Sequence, residues 1–184
     1  MNVLKTSPLP NQLRLDEFSN LWIGGFAIIL LLVGKFWYGQ ADTEALLFLL
    51  RPVSCLVHLV SNQPYTFVPE QGFHFPNGNI LINSSCSGFN WLLLAYLLGV
   101  FAGLQSLRRP FHKMLLIPTI LIAAYLLSLI VNSMRILFSI FILEQLAQHA
   151  TWLHLIEGAF VYLSSLILWY FACQYFFKKI NSLL

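Results

Sequence analysis

Residues 114–135 read MLLIPTILIAAYLLSLIVNSMR, and this stretch decides the class of protein. The part from Met114 to Val131 carries no charge, and a bilayer core is crossed by about 20 apolar residues in a helix. Asn132 and Arg135 follow, and the apolar run continues beyond Arg135, so this arginine does not simply mark a helix end. A guanidinium in such a place is costly and indicates a function, although snorkelling to the lipid headgroups is an alternative.

The composition extends this conclusion to the whole chain. Of its 184 residues, 58% are hydrophobic and only 9% are charged, whereas soluble domains carry about 25% charged residues. The mean hydropathy is +0.74. We therefore predict an all-α integral membrane protein with four to five transmembrane helices in a single domain over residues 1–184. The net charge of +3 is small, and nucleic acid is not an expected partner.

Loop charges predict how the spans are oriented. Four apolar runs are clear: Phe18 to Gly34, Ser87 to Leu107, Met114 to Val131, and Gly158 to Phe177. The positive-inside rule places the basic groups, residues 1–17 and both termini in the cytoplasm. Those groups are Lys5 and Arg14 before the first span, Arg108, Arg109 and Lys113 in one connection, and Lys178 and Lys179 after the last span.

The segment Thr43 to Val60 is less clear. Arg51, Ser54, Cys55 and His58 recur three and four residues apart, so they share one face of a helix. The other face is apolar, and Pro52 lies in the middle. We predict an amphipathic helix in the outer membrane interface, with a fifth span as the alternative. The apolar face consists of Leu46, Leu49, Leu50, Val53, Leu56, Val57 and Val60.

Residues 62–86 have a different pattern. Phe73-His74-Phe75 and Ile80-Leu81-Ile82 flank Pro76-Asn77-Gly78-Asn79, and Asn-Gly between two apolar runs is a strong hairpin signal. An open hairpin is not stable inside lipid. We therefore predict a small extracytoplasmic β-hairpin that leads directly to Cys86.

Cys86 lies where this strand gives way to the second span. Ser84, Ser85 and Ser87 are candidate N-caps, and Gly88 permits close backbone approach. A helix N-terminus offers unpaired N–H groups and partial positive charge, which favour a thiolate and could bind an oxyanion. This makes Cys86 a candidate nucleophile. The alternative is that its thiol is a small packing group.

Three further residues complete a catalytic hypothesis. Asn132 and Arg135 share a helix face because they are three residues apart. His154 opens the last span, Glu157 follows one turn later, and Gly158 allows another helix to pack closely. Imidazole transfers protons near neutral pH, and Glu157 could fix its tautomer. With the predicted topology, Cys86, Arg135 and His154 meet at the extracytoplasmic edge, an arrangement suited to acyl transfer. The alternative for His154 is an interfacial histidine.

The remaining thiols allow other interpretations. Cys55, His58, Cys86 and His154 could be zinc ligands, although no tight cluster of ligand residues completes the site. A Cys55–Cys86 disulfide is also possible outside the cytoplasm, and it would block the proposed nucleophile. Cys173 lies in mid-span without polar neighbours and is expected to pack in the core.

Cys86-Ser87-Gly88, the N-x-x-R motif from Asn132 to Arg135, and the later His154 resemble, in this order, the exosortase/archaeosortase family. The resemblance covers roughly residues 43–177. Many members have more spans, so the chain resembles a short member, similar to the subgroup called exosortase K. The departure in size leaves the substrate motif open more than the chemistry.

The resemblance implies a membrane cysteine transpeptidase or peptidase of protein sorting in the cytoplasmic membrane of a prokaryote. Cys86 would be the nucleophile, Arg135 the oxyanion stabiliser and His154 the proton carrier, with Asn132, Glu157, Ser87 and Gly88 in support and no cofactor. Its implied partners are membrane lipid and secreted proteins that carry a C-terminal signal: a short motif such as Pro-Glu-Pro, a transmembrane helix and a basic cluster. A small transporter or a non-enzymatic subunit of a membrane complex is the alternative function.

Overall fold

The computed structural model describes the backbone of residues 10–76, 80–107, 110–145 and 150–183, and the side chains of 18–76, 80–107, 111–141 and 158–182. Among the basic residues used to orient the spans, Lys5, Arg108 and Arg109 lie outside the described residues. For Arg14 only the backbone is described. Five helices and three short strands make up this part of the chain. In order they are α1 (Pro10–Gln40), α2 (Leu47–Ser61), β1 (Thr66–Val68), β2 (Gly72–Phe75), β3 (Ile80–Ile82), a 3-10 turn (Ser84–Cys86), α3 (Phe89–Ser106), α4 (Pro110–Gln145) and α5 (Ala150–Leu183).

Four of the helices are long and apolar enough to cross a membrane, which confirms the predicted fold class. The spanning segments are Phe18–Gln40, Ser84–Ser106, Phe111–Phe141 and Gly158–Ser182. The third is longer than predicted at both ends. Lys113 lies inside α4 rather than in a connection, and Asn132 and Arg135 lie within the apolar helix rather than after it.

Helix α3 is the centre of the bundle. In an 18-residue apolar stretch of its span 61% of the residues are buried, against 6% in the same length of α1 and 11% in that of α5, so α1, α4 and α5 surround it. Two glycines on α3 bring α4 close. A Cβ added to Gly99 would lie 2.7 Å from Ile120, and one added to Gly103 would meet Leu116. Small residues at this spacing let membrane helices approach each other, so they fix α3 against α4.

Helix α2 is short, as predicted for an interfacial helix. Its 15 residues extend about 22 Å, less than the roughly 30 Å hydrocarbon core. It packs on α4, where the Tyr125 hydroxyl donates to the Phe48 carbonyl at 2.8 Å. The predicted division of its faces is partly wrong: Ser54 is buried and Val60 is exposed. The buried side of α2 is the one that contacts α4 and the sheet. The helix period alone cannot tell where those contacts fall.

A three-stranded antiparallel sheet covers one end of the bundle, called here the sheet end. The predicted hairpin is confirmed: β2 pairs with β3, with Phe73 opposite Ile82 and Phe75 opposite Ile80. Its turn, at residues 77–79, lies outside the described residues. The structure adds β1 to the other edge of β2. Phe73, Phe75 and Ile82 are buried against a cluster of α2 and α4 side chains that includes Leu49, Leu50, Val53, Leu129, Ile136 and Ile140.

Candidate functional site

The segment from Asn83 to Gly88 forms a tight turn between β3 and α3 and carries Cys86. The Asn83 side chain caps it by accepting hydrogen bonds from the Ser85 N–H at 3.1 Å and the Ser85 hydroxyl at 2.6 Å. Gly88, at φ 73°, is the N-cap of α3. The prediction that serines cap the start of α3 is therefore wrong in its main point. Ser87 makes only long contacts here: its hydroxyl accepts a 3.4 Å hydrogen bond from the Phe89 N–H and donates to the Tyr38 hydroxyl at 3.4 Å.

Two backbone N–H groups beside the thiol are paired within the turn itself. The Cys86 N–H donates to the Asn83 carbonyl at 3.0 Å, and the Ser87 N–H donates to the Ser84 carbonyl at 3.2 Å. We expected unpaired N–H groups at the thiol that could bind an oxyanion. These two N–H groups are already paired, so they do not fit that expectation. Cys86 ends a 3-10 turn and precedes the first residue of α3, Phe89, by three positions.

Two carbonyls of the turn are held by side chains from different helices. Asn132 in α4 donates its amide Nδ2–H to the Cys86 carbonyl at 2.6 Å. From α1, the Tyr38 hydroxyl donates to the Ser84 carbonyl at 3.0 Å. The Tyr38 ring stacks on Phe89, with ring centroids 4.9 Å apart and an interplanar angle of 13°. The thiol-bearing turn is thereby fixed between α1 and α4, and the Cys86 side chain stays partly exposed.

Arg135 reaches the same cluster through a tyrosine. Its Nη1–H donates to the Tyr162 hydroxyl at 3.2 Å, and that hydroxyl donates to Asn132 Oδ1 at 2.7 Å. The guanidinium carbon also lies 5.1 Å from the centre of the Tyr162 ring, within cation–π range. Asn132 and Arg135 thus work from one side of α4, as their spacing predicts. The structure joins Cys86, Asn132, Tyr162 and Arg135 in one hydrogen-bonded cluster.

Two glycines make room for this cluster. A Cβ on Gly88 would lie 3.0 Å from Asn132 Cγ, and a Cβ on Gly158 would lie 2.9 Å from Arg135 Nε. Contacts this short leave no space for a methyl group unless the neighbour moves. The close approach predicted at both glycines is present, and at Gly158 the group that approaches is the guanidinium itself.

His154 and Glu157 belong to the backbone of α5, but their side chains lie outside the described residues. His154, Gly158 and Tyr162 follow one another at intervals of four residues, so they lie along one face of α5. Gly158 and Tyr162 on that face contact Arg135. The backbone therefore places His154 one turn before the residue against which Arg135 packs.

Sequence reasoning missed Tyr162, Tyr38 and Asn83. Tyr162 had a signal, because it lies two helical turns after His154 on the same face. Tyr38 had no such signal, because its neighbours Phe36 and Trp37 are typical of a membrane-interface segment and give no sign of a contact 46 positions away. Asn83 was overlooked beside the serines, although Asn is among the preferred capping residues.

The structure also bears on the disulfide, the zinc site and the core packing considered for the cysteines. Cys55 and Cys86 are free thiols, Cys55 is exposed, and His58 Nδ1 lies 2.6 Å from the Gln63 carbonyl oxygen. Among the side chains that the structure describes, no three His, Cys, Asp or Glu residues are grouped to hold a metal ion. Cys173 is buried in the apolar core between α3, α4 and α5, as predicted.

Fold and site together define a multi-pass membrane protein with a cysteine turn held beside an arginine at one end of a helical bundle. The family model described as Transmembrane exosortase (Exosortase_EpsH) matches residues 67–171, more than half of the chain. The chain belongs to the transmembrane exosortase family. Neither the comparison with curated proteins nor the comparison with solved structures returns a match. The matched segment runs from β1 into α5 and leaves α1 and α2 outside.

Proposed function

We propose that this protein is a membrane cysteine transpeptidase that cleaves the C-terminal sorting signal of secreted proteins and transfers them to an acceptor. The observation that carries the proposal is the joining of Cys86 to Arg135 through Asn132 and Tyr162. A thiol beside a fixed guanidinium supplies a nucleophile and a group that stabilises developing negative charge. Membership of the exosortase family supports the same chemistry.

The reaction begins with proton transfer from the Cys86 thiol to His154. The thiolate attacks the carbonyl carbon of the scissile peptide bond, and the oxygen becomes an oxyanion that Arg135 stabilises. The C–N bond then breaks, His154 returns the proton to the leaving amine, and a thioester to Cys86 remains. An acceptor amine attacks the thioester, loses its proton to His154 and releases the thiolate. Water in place of the amine gives hydrolysis, and no cofactor takes part.

The placement of the site suits a substrate that is itself anchored in the membrane. Cys86 ends the 3-10 turn that precedes the central helix α3, at the sheet end of the bundle. A substrate with a short recognition motif before its own transmembrane helix would present its scissile bond at that depth. The charge distribution favours an extracytoplasmic sheet end, because the basic residues Lys178 and Lys179 lie at the opposite end of α5.

The deciding experiment replaces the nucleophile. Cys86→Ala and Cys86→Ser should accumulate in the membrane and leave a co-expressed secreted protein with the three-part C-terminal signal unprocessed. Cys173→Ala is the matched control, because it removes a thiol buried in the apolar core and should process normally. Intact-mass measurement of the secreted protein identifies the cleaved and transferred product. Wild-type processing by Cys86→Ala would eliminate the proposal.

A hydroxylamine-sensitive adduct gives a second measurement. A thioester at Cys86 should appear as a covalent enzyme–substrate species that hydroxylamine releases, and neither Cys86 variant should form it. If processing occurs while no such species is trapped at any time point, even when the acceptor is depleted, the thioester step is wrong.

A further inference from the structure

The Tyr162 hydroxyl uses its hydrogen-bonding capacity in two directions at once. It accepts from Arg135 Nη1–H at 3.2 Å and donates to Asn132 Oδ1 at 2.7 Å. Asn132 is 1% exposed, and its amide N–H donates in turn to the Cys86 carbonyl at 2.6 Å. The donors therefore all point the same way, from the guanidinium to the turn that carries the thiol.

A second contact fixes the guanidinium over the same residue. The Arg135 guanidinium carbon lies 5.1 Å from the centre of the Tyr162 ring, while the backbone of Gly158, one turn earlier on α5, lies close to Arg135 Nε. Arg135 is on α4, and both of these contacts come from α5. The way these two helices meet therefore helps to orient the guanidinium.

We infer that Tyr162 is a positioning residue that couples the Arg135 guanidinium to the Cys86 turn. This inference rests on the proposed function of Cys86 and Arg135. Tyr162 need not touch the substrate. Its hydroxyl holds the anion-stabilising charge and the nucleophile's backbone in a fixed relation, and a chain of donors aligned in one direction strengthens each member of the chain.

The consequence is specific to one chemical group. Tyr162→Phe keeps the ring, and with it the cation–π contact and most of the packing, but removes the hydroxyl. Asn132 Oδ1 and Arg135 Nη1 then both lose this hydrogen-bond partner. Loss of a partner by buried polar groups, or of an aligned donor in catalysis, corresponds to a fall in kcat on the order of 10- to 100-fold. KM should change little, because a hydroxyl that acts through Arg135 and the cysteine turn need not bind the substrate.

Tyr170→Phe is the matched control. Tyr170 lies two turns further along α5, and its hydroxyl accepts from Gln174 at 2.7 Å, away from the cysteine. This variant removes the same atom from the same helix and should keep wild-type kcat. Both variants are compared with wild type in membranes at matched protein level, with the processing of a signal-bearing reporter as the readout.

Two measurements separate positioning from a structural role. In an Arg135→Lys background, Tyr162→Phe should cost less than threefold, since the group through which Tyr162 acts is already altered. Replacing Tyr162 by 4-aminophenylalanine, which returns a polar donor to the same place, should restore part of the turnover lost in Tyr162→Phe. It also serves as the shape-matched variant where Tyr162→Phe accumulates poorly.

Equal kcat for Tyr162→Phe and Tyr170→Phe would overturn the inference. So would a Tyr162→Phe loss of the same size in the Arg135→Lys background, or the same turnover with phenylalanine and 4-aminophenylalanine. Failure of the proposed function is a separate result, because it requires that Cys86→Ala still process the reporter in the same assay.

Discussion

Substitution of Gly88 by alanine tests how tightly the cysteine turn is held. Gly88 has φ 73°, a left-handed conformation that costs a residue with a Cβ about 1–2 kcal/mol. The added Cβ would also lie 3.0, 3.1 and 3.3 Å from Asn132 Cγ, Cβ and Nδ2. Asn132 cannot yield easily, because its amide is fixed at both ends by hydrogen bonds of 2.6 and 2.7 Å.

If the amide moves away, at least one of these hydrogen bonds is weakened, at a cost of about 1 kcal/mol. We therefore expect Gly88→Ala to lower the free energy of unfolding by about 2–3 kcal/mol. Turnover should fall further than stability alone explains, since the displaced amide contacts the Cys86 carbonyl. The unfolding free energy is measured on detergent-solubilised protein by titration with a denaturing detergent, and turnover by reporter processing.

Gly39→Ala is the control for this experiment. A Cβ at Gly39 meets nothing within 4 Å, and the residue lies in helix α1, where alanine is favoured over glycine by up to about 1 kcal/mol. The control should be as stable as wild type or slightly more stable. If Gly88→Ala matched Gly39→Ala in both stability and turnover, the close contact between Gly88 and Asn132 would have no energetic meaning and the reasoning would fail.

Four further experiments test other parts of the site and its orientation. Arg135→Lys should accumulate normally but lose on the order of 10²–10³ in rate, since lysine cannot reproduce the planar fork; near-normal processing would make Arg135 a membrane anchor. Gly158→Ala places a Cβ 2.9 Å from Arg135 Nε, so reporter processing should fall about tenfold at equal abundance, and unchanged processing would contradict the contact. Tyr38→Phe removes a hydrogen bond to the cysteine turn and should lower the unfolding free energy by about 1 kcal/mol; no change would show that the clamp from α1 is dispensable. In a parent without native cysteines, Gln71→Cys should react with a membrane-impermeant reagent in intact cells and Gln105→Cys should not; the opposite result would invert the topology.

The spanning helices could be predicted from sequence because the bilayer imposes a strong and simple condition on each segment. A run of about 20 apolar residues has few other stable conformations in a membrane, so all four spans were found. The same condition misled about the third span, which is longer than predicted at both ends. The third span was ended at Val131 because Asn132 and Arg135 are polar, yet α4 continues through both, since Tyr162 and the Cys86 carbonyl bind their polar groups.

Contacts between distant segments were beyond this kind of reasoning. Strand β1 has only three residues, too few for an alternation of polar and apolar side chains to be recognised in the sequence. It is a strand because it pairs with β2. The sequence predicts Cys86 at the start of a helix. Gly88 adopts a left-handed conformation, however, and α3 begins only at Phe89, three residues after Cys86. Which serine or asparagine caps the turn depends on hydrogen bonds formed only in the folded chain, so sequence could supply the residue types and not their geometry.

The site also extends beyond the part of the chain that the family model covers. Residues 67–171 include Cys86, Asn132, Arg135 and Tyr162, but not α1. Hydropathy describes α1 only as a span, and just 6% of its 18-residue apolar stretch is buried. Three of its polar and aromatic contacts nevertheless lie at the thiol end: Lys35 donates to the Asn90 side chain at 2.6 Å, and Tyr38 stacks on Phe89 and donates to the Ser84 carbonyl.

If α1 served only as a membrane anchor, it would gain nothing from the Tyr38 hydroxyl beside the cysteine turn. Tyr38 holds the Ser84 carbonyl from one side while Asn132 holds the Cys86 carbonyl from the other, so removal of either clamp leaves the turn supported on one side only. Two clamps on carbonyls two residues apart restrict rotation of the intervening peptide units, and with them the direction of the Cys86 side chain. Through these contacts α1 takes part in fixing the turn that carries the Cys86 thiol, although the family model does not cover α1.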